Sequence, residues 1–100
     1  MRLGPYSLDE NTGEVRWDDF RCRLTPIEQR VVEALVEHFP KPLSAEGIME
    51  AADILSSESA RMHVLHIRRK LNDDTVIEGL RQRGYRINPE YVLRDGECRR

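Results

Sequence analysis

An α+β fold, with a small N-terminal antiparallel sheet, three helices and a closing β-hairpin, is what this sequence predicts. Three observations carry that expectation. Short β-type runs broken by turn residues fill positions 1–24, three apolar stretches with helix caps fill 25–71, and two β-type runs flank a glycine-containing turn within 76–87.

Residues 6–8, 14–17 and 20–24 read as strands, separated by the turn-forming runs 9–13 and Asp18-Asp19. Along the last of them Phe20, Cys22 and Leu24 alternate with Arg21 and Arg23, the pattern of a strand with one packed face and one wet face. Thr25-Pro26-Ile27-Glu28 opens the first helix, with Thr25 as N-cap, proline at the first helical position and Glu28 completing a capping box. Ile27, Val31, Leu35 and Phe39 recur every fourth residue beside Val32 and Val36, so one broad stripe faces the core and Arg30, Glu33 and Glu37 face water. Pro40 and Pro42 stop this helix. Leu43-Ser44 opens a short second helix, with Ser44 as cap, Leu43 placed to staple onto Ile48, and an end near Ala52.

Ser56 or Ser57 caps a third helix that runs to about Leu71, with Glu58 in the first turn where the helix dipole favours an anion. Ala60, Val64, Ile67 and Leu71 share its core face, leaving Arg61, Met62, Leu65, His66, Arg68 and Arg69 on the others. Asn72-Asp73-Asp74 breaks it. Residues 76–80 and 85–87 then form the hairpin, whose turn Arg81-Gln82-Arg83-Gly84 uses Gly84 for a positive φ. The elements make one winged helix domain over 1–88: a meander over 1–24, a three-helix core over 25–71 and a wing over 76–87. A tail without clear period covers 89–100.

One hundred residues suit a single domain with a modest core, and 39% apolar against 34% charged residues is a globular balance. No apolar run approaches the roughly 18 residues of a membrane span, and the N-terminus lacks the apolar stretch of a secretory signal. The expectation is a soluble, cytoplasmic chain without membrane contact. Cys22 and Cys98 are isolated, form no disulfide framework and have no metal-ligand spacing, so both are expected as free thiols.

A net charge of −2 argues against a nucleic-acid partner until its distribution is considered. Six Lys or Arg stand against eleven Asp or Glu over residues 1–56, but seven stand against four over 57–86. Arg61, Arg68, Arg69 and Lys70 lie on the third helix with only Glu58 against them, and Arg81 and Arg83 lie at the hairpin tip. Two independent basic elements that this fold sets side by side point to duplex DNA. Arginine reads guanine by bidentate bonds, and Met62 or Leu65 suits a thymine methyl, unless both complete a core on a second side of the helix.

The residues from Tyr6 to Ile87 resemble the OmpR/PhoB-type winged helix-turn-helix domain, the C-terminal effector half of many bacterial response regulators. Leu24-Thr25-Pro26-Ile27-Glu28 is similar to the family's L-T-x-x-E opening of the first helix, and Ile67-Arg68-Arg69-Lys70-Leu71 to its L-R-x-K-L. Arg81-Gln82-Arg83-Gly84-Tyr85-Arg86-Ile87 is similar to its R-G-x-G-Y-R-hydrophobic wing. The resemblance implies a sequence-specific transcriptional regulator, of bacterium or phage, with helix 57–71 in the major groove and wing 81–84 at the minor groove. It implies base or phosphate contacts for Ser59, Met62 and His66, with His63 on a frequent histidine position beside them in the DNA-binding set, basic contacts for Arg68 and Arg69, and a minor-groove role for Arg81. Tyr85 matches a wing tyrosine that is either packed or bound to phosphate.

The departures carry expectations too. No receiver domain precedes the fold within these 100 residues, so control other than phosphorylation, or by abundance, is expected. Loop 53–56 is shorter than the family's usual loop, which often touches RNA polymerase, and activation by that route is not expected. Glu58 replaces a frequent arginine and Gln82 a glycine. The alternative reading is a protein-interaction module whose acidic first half binds RNA polymerase or another regulator. No catalytic constellation or phosphate-binding glycine loop is present, so neither an enzyme nor a cofactor is expected. His63 and His66 have the spacing to begin a zinc site, but no third ligand stands near in sequence, and no metal is expected. One domain reads about four to six base pairs, so weak self-association or tandem binding on repeated half-sites is expected.

Overall fold

Side-chain caps decide where the helices begin. In the computed structural model, which describes residues 2–3 and 6–89, Thr25 Oγ1 accepts from Glu28 N (3.2 Å) while Glu28 Oε1 accepts from Thr25 N (2.9 Å). That reciprocal pair starts α1 (Pro26–His38). Ser44 Oγ accepts from Gly47 N (3.0 Å) to start α2 (Ala45–Ala52), and Ser56 Oγ accepts from Ser59 N (3.1 Å) to start α3 (Ser57–Leu71). Asp53 and Asn72 end α2 and α3 in the left-handed conformation, at φ 59° and 54°.

The N-terminal sheet is a four-stranded antiparallel meander: β1 (Arg2–Leu3), β2 (Tyr6–Leu8), β3 (Glu14–Trp17) and β4 (Phe20–Arg23). Sequence reasoning found the last three strands and missed β1, which is too short to show a period although Leu3 is fully buried. Cross-strand pairs Val15↔Cys22 and Leu8↔Val15 set a register that points Leu8 and Val15 into the core and leaves Arg16, Arg21 and Arg23 in water. Tyr6 fastens the sheet to the helices. Its hydroxyl donates to Asp73 Oδ2 (3.2 Å) just past α3, and its ring meets Trp17 and Phe20 edge-to-face at 5.3 and 5.9 Å.

The core joins Leu3, Leu8 and Val15 of the sheet to Val31, Val32 and Leu35 of α1, Ile48 of α2, and the predicted Ala60, Val64, Ile67 and Leu71 stripe of α3. Each buried Val, Leu or Ile stabilises the fold by about 1.5–3 kcal/mol. Arg30 Nε donates to Ala52 O (3.1 Å) and holds the end of α2 on α1. No described helix is long and apolar enough to cross a membrane. Apart from Pro89, the tail 89–100 lies outside the described residues, as does Cys98.

The hairpin consists of β5 (Ile77–Leu80) and β6 (Gly84–Ile87), joined by a turn in which Arg83 N donates to Leu80 O (3.0 Å). Gly84 takes the expected positive φ (115°), and Gln82 also adopts a left-handed conformation (φ 64°). The second feature means that glutamine here assumes the backbone shape that glycine adopts readily. The hairpin does not stand alone: Leu43 and Tyr85 exchange both main-chain hydrogen bonds (2.8 and 2.9 Å), adding the residue before Ser44 as a third edge. The architecture is a winged helix-turn-helix, as the order of elements predicted.

Gly84 is the position at which this third edge tolerates no side chain. A Cβ there would run into the Leu43 carbonyl and Ser44 Cα, whereas a Cβ on Gly79 would meet nothing nearer than Arg68 Nη2 at 3.5 Å. Urea unfolding of Gly84→Ala should show a loss of at least about 2 kcal/mol. Gly79→Ala should stay within about 0.5 kcal/mol of the parent.

Candidate nucleic-acid interface

A helix packed along one stripe must present the opposite stripe outward, and on α3 that outward face is Glu58, Arg61, Met62, Leu65 and Arg69. Met62 is 49% and Leu65 36% exposed, which resolves the question left by the sequence: neither belongs to the core. The fifteen residues of α3 span about 22 Å, enough to lie along a major groove. Arg81, Gln82 and Arg83 are exposed at the hairpin tip. An open concavity of about 500 Å³ separates tip and helix, lined among others by Arg61, Arg81, Arg83, Tyr85, Ser44 and Glu46. The first turn of α2 borders it, so main-chain N–H groups add to the positive field of the three arginines and Glu46 offsets part of it. Sequence reasoning did not bring the start of α2 into the site; the Ser44 cap was the signal that could have done so.

The other cations of α3 are spent on the fold. Arg68 donates through Nε (3.0 Å) and Nη2 (2.6 Å) to Ile77 O at the start of β5, and its guanidinium lies 5.7 Å from the centre of the Tyr85 ring. That pair of bonds seats the wing against the helix. Tyr85 is half-buried, packs against the core and carries Arg68. Lys70 reaches the opposite way, donating to Glu28 Oε1 (2.7 Å) and to Arg23 O (3.1 Å). Among the described residues the guanidinium groups of Arg61, Arg69, Arg81 and Arg83 have no hydrogen bond or ion pair. On the wing itself Arg86 pairs with Glu78 across the strands at 2.7 Å.

Ser59, His63 and His66 sit on the flank of α3 shared with Lys70, half-buried, and not on the outward stripe. The two imidazoles are one turn apart with ring centres 6.2 Å from each other. The absence of a third ligand near them in sequence does not carry over to space, because the fold brings Glu28 of α1 to them: one ligand atom from each of the three lies within 4.8 Å of the others. Burial raises the pKa of Glu28, but the Lys70 hydrogen bond, the Thr25 main-chain bond and the Lys70 charge outweigh it and hold the carboxyl below its ordinary value. Cys22, a free thiol on β4, is pushed up by burial, against which Lys70 acts and to which Glu28 adds. A raised pKa makes it a poor nucleophile.

A search among curated proteins found no sequence matching the chain. Solved structures share its fold. The DNA-binding domain of Escherichia coli CadC superposes with a TM-score of 0.78 at 16% identity, over 86% of this chain and 88% of that one. The DNA-binding domain of the response regulator AdeR, solved in complex with an intercistronic region, gives 0.74 at 18% identity over 88% and 98% of the two chains. The C-terminal domain of the nisin resistance regulator NsrR gives 0.72 at 20% identity over 86% and 94%. The profile of the family described as "Transcriptional regulatory protein, C terminal" matches residues 19–87. With more than half of its length matched by that profile, on a fold of the OmpR/PhoB type, the chain belongs to the transcriptional regulatory protein C-terminal family.

Proposed function

We propose that this domain is a sequence-specific reader of double-stranded DNA in a transcriptional regulator, with α3 in the major groove and the hairpin tip at the minor groove. The observation that carries the reading is the division among the arginines. Arg61 and Arg69 on α3 and Arg81 and Arg83 on the tip are exposed and uncommitted, and three of them border one concavity. A phosphate backbone is the ligand that uses such a set. Met62 and Leu65, exposed between Arg61 and Arg69, offer apolar contact to thymine methyls. The CadC and AdeR domains, the latter solved with an intercistronic region, support the same reading.

In this scheme Arg68 and Lys70 position the helix, whereas Arg61, Arg69, Arg81 and Arg83 touch the nucleic acid. His63, His66 and Ser59 reach at most the edge of the contact, and Tyr85 orients Arg68. Two protomers on repeated half-sites supply the length of sequence that one domain lacks.

Selection from a randomised duplex library should enrich a repeated motif, and sedimentation should find two protomers on it. On that motif, Arg61→Ala, Arg69→Ala and Arg81→Ala should each lose about 1–3 kcal/mol of affinity where the contact is to a base, or flatten the salt slope by about one where it is to phosphate. Arg16→Ala, on the N-terminal sheet, should bind as the parent does. Unchanged affinity in all three α3 and wing variants would instead favour a domain whose partner is another protein.

Arg68→Met should separate positioning from contact. Its loss should appear as about 1–3 kcal/mol less stability in urea. Full stability combined with lost DNA binding would make Arg68 a direct contact.

A further inference from the structure

We propose that Glu28, His63 and His66 bind a divalent transition-metal ion of the zinc class at the seam between the first turn of α1 and the flank of α3. The three side chains come from two elements and converge without help from the proposed DNA contacts: their ligand atoms already lie within 4.8 Å of one another. Tetrahedral zinc, with bonds near 2.0–2.2 Å, needs ligand atoms about 3.3 Å apart. The remaining approach is within the reach of side-chain rotation, because histidines three apart on a helix share a face.

The donor chemistry narrows the ion. Two imidazoles and one carboxylate suit zinc, nickel or copper, and exclude calcium and magnesium, which take oxygen ligands. Glu28 is ready to serve. Both of its hydrogen bonds, from Thr25 N and Lys70 Nζ, fall on Oε1, so Oε2 is available while the capping box stays intact. A second observation points the same way. His63 Nδ1 is buried with no hydrogen-bond partner among the described residues, a deficit that coordination through this nitrogen removes. The nearby Lys70 ammonium opposes a second cation, so the site is expected to be of moderate affinity, with water completing the coordination. Because the ligands join α1 to α3, a bound ion cross-links the two helices and stabilises the folded chain.

The test uses the full chain, freed of metal with a chelator and titrated with Zn2+ alone by calorimetry. Glu28→Gln keeps a capping-box side chain, and His66→Ala alters a half-exposed position, so both should fold. The parent should bind one equivalent and melt at a higher temperature with zinc, and each variant should lose about ten-fold or more in affinity and lose the thermal shift. Co2+ should give a tetrahedral or five-coordinate visible spectrum without a thiolate charge-transfer band. No binding by the parent, undiminished affinity in both variants, or a thiolate band that moves the site to a cysteine would each overturn the assignment.

Discussion

The placement of the two basic elements depends on one main-chain contact, the pair of hydrogen bonds between Leu43 and Tyr85. It locks the hairpin to the residue that precedes the Ser44 cap, so wing and α2 cannot move independently. Only glycine at position 84 allows the strands to come so close. Arg68 then adds the third side of the frame by binding Ile77 O from α3. Helix, wing and the start of α2 therefore meet at fixed distances, and the concavity between them is a consequence of main-chain geometry. Preorganisation of this kind lowers the entropic cost of binding a rigid duplex.

Charge is divided by purpose in the same frame. Cations on the flanks of α3 are engaged internally: Lys70 is paired with the Glu28 carboxylate, and Arg68, which keeps its charge, is held by a carbonyl and an aromatic face. Those on the outward stripe and the tip are left to solvent. An acidic overall balance is thus compatible with a locally basic surface, since the excess of carboxylates belongs to the first 56 residues.

What was legible in the sequence was what local chemistry decides. The Thr25 and Ser44 caps, the Ala60, Val64, Ile67 and Leu71 stripe, and the turn at Gly84 follow from neighbours within four residues, and the structure places them as read; the cap of α3, open between Ser56 and Ser57 in the sequence, is Ser56. Contacts between distant segments were not legible. Arg68 and Arg69 look alike in sequence, yet a rotation of 100° along the helix gives one to β5 and the other to water. Glu28 reads as a capping residue, and its meeting with His63 and His66 depends on how α1 crosses α3. The two residues of β1 were missed because a strand that short has no period to detect.

The most direct test of the central claim is an amide NMR titration of the labelled chain with a duplex carrying the selected motif. The account predicts that the largest shifts fall on the exposed positions of α3 and on residues 81–83, with the β1–β4 sheet left unperturbed. Shifts concentrated on that sheet or on α1, with α3 and the wing tip silent, would contradict it.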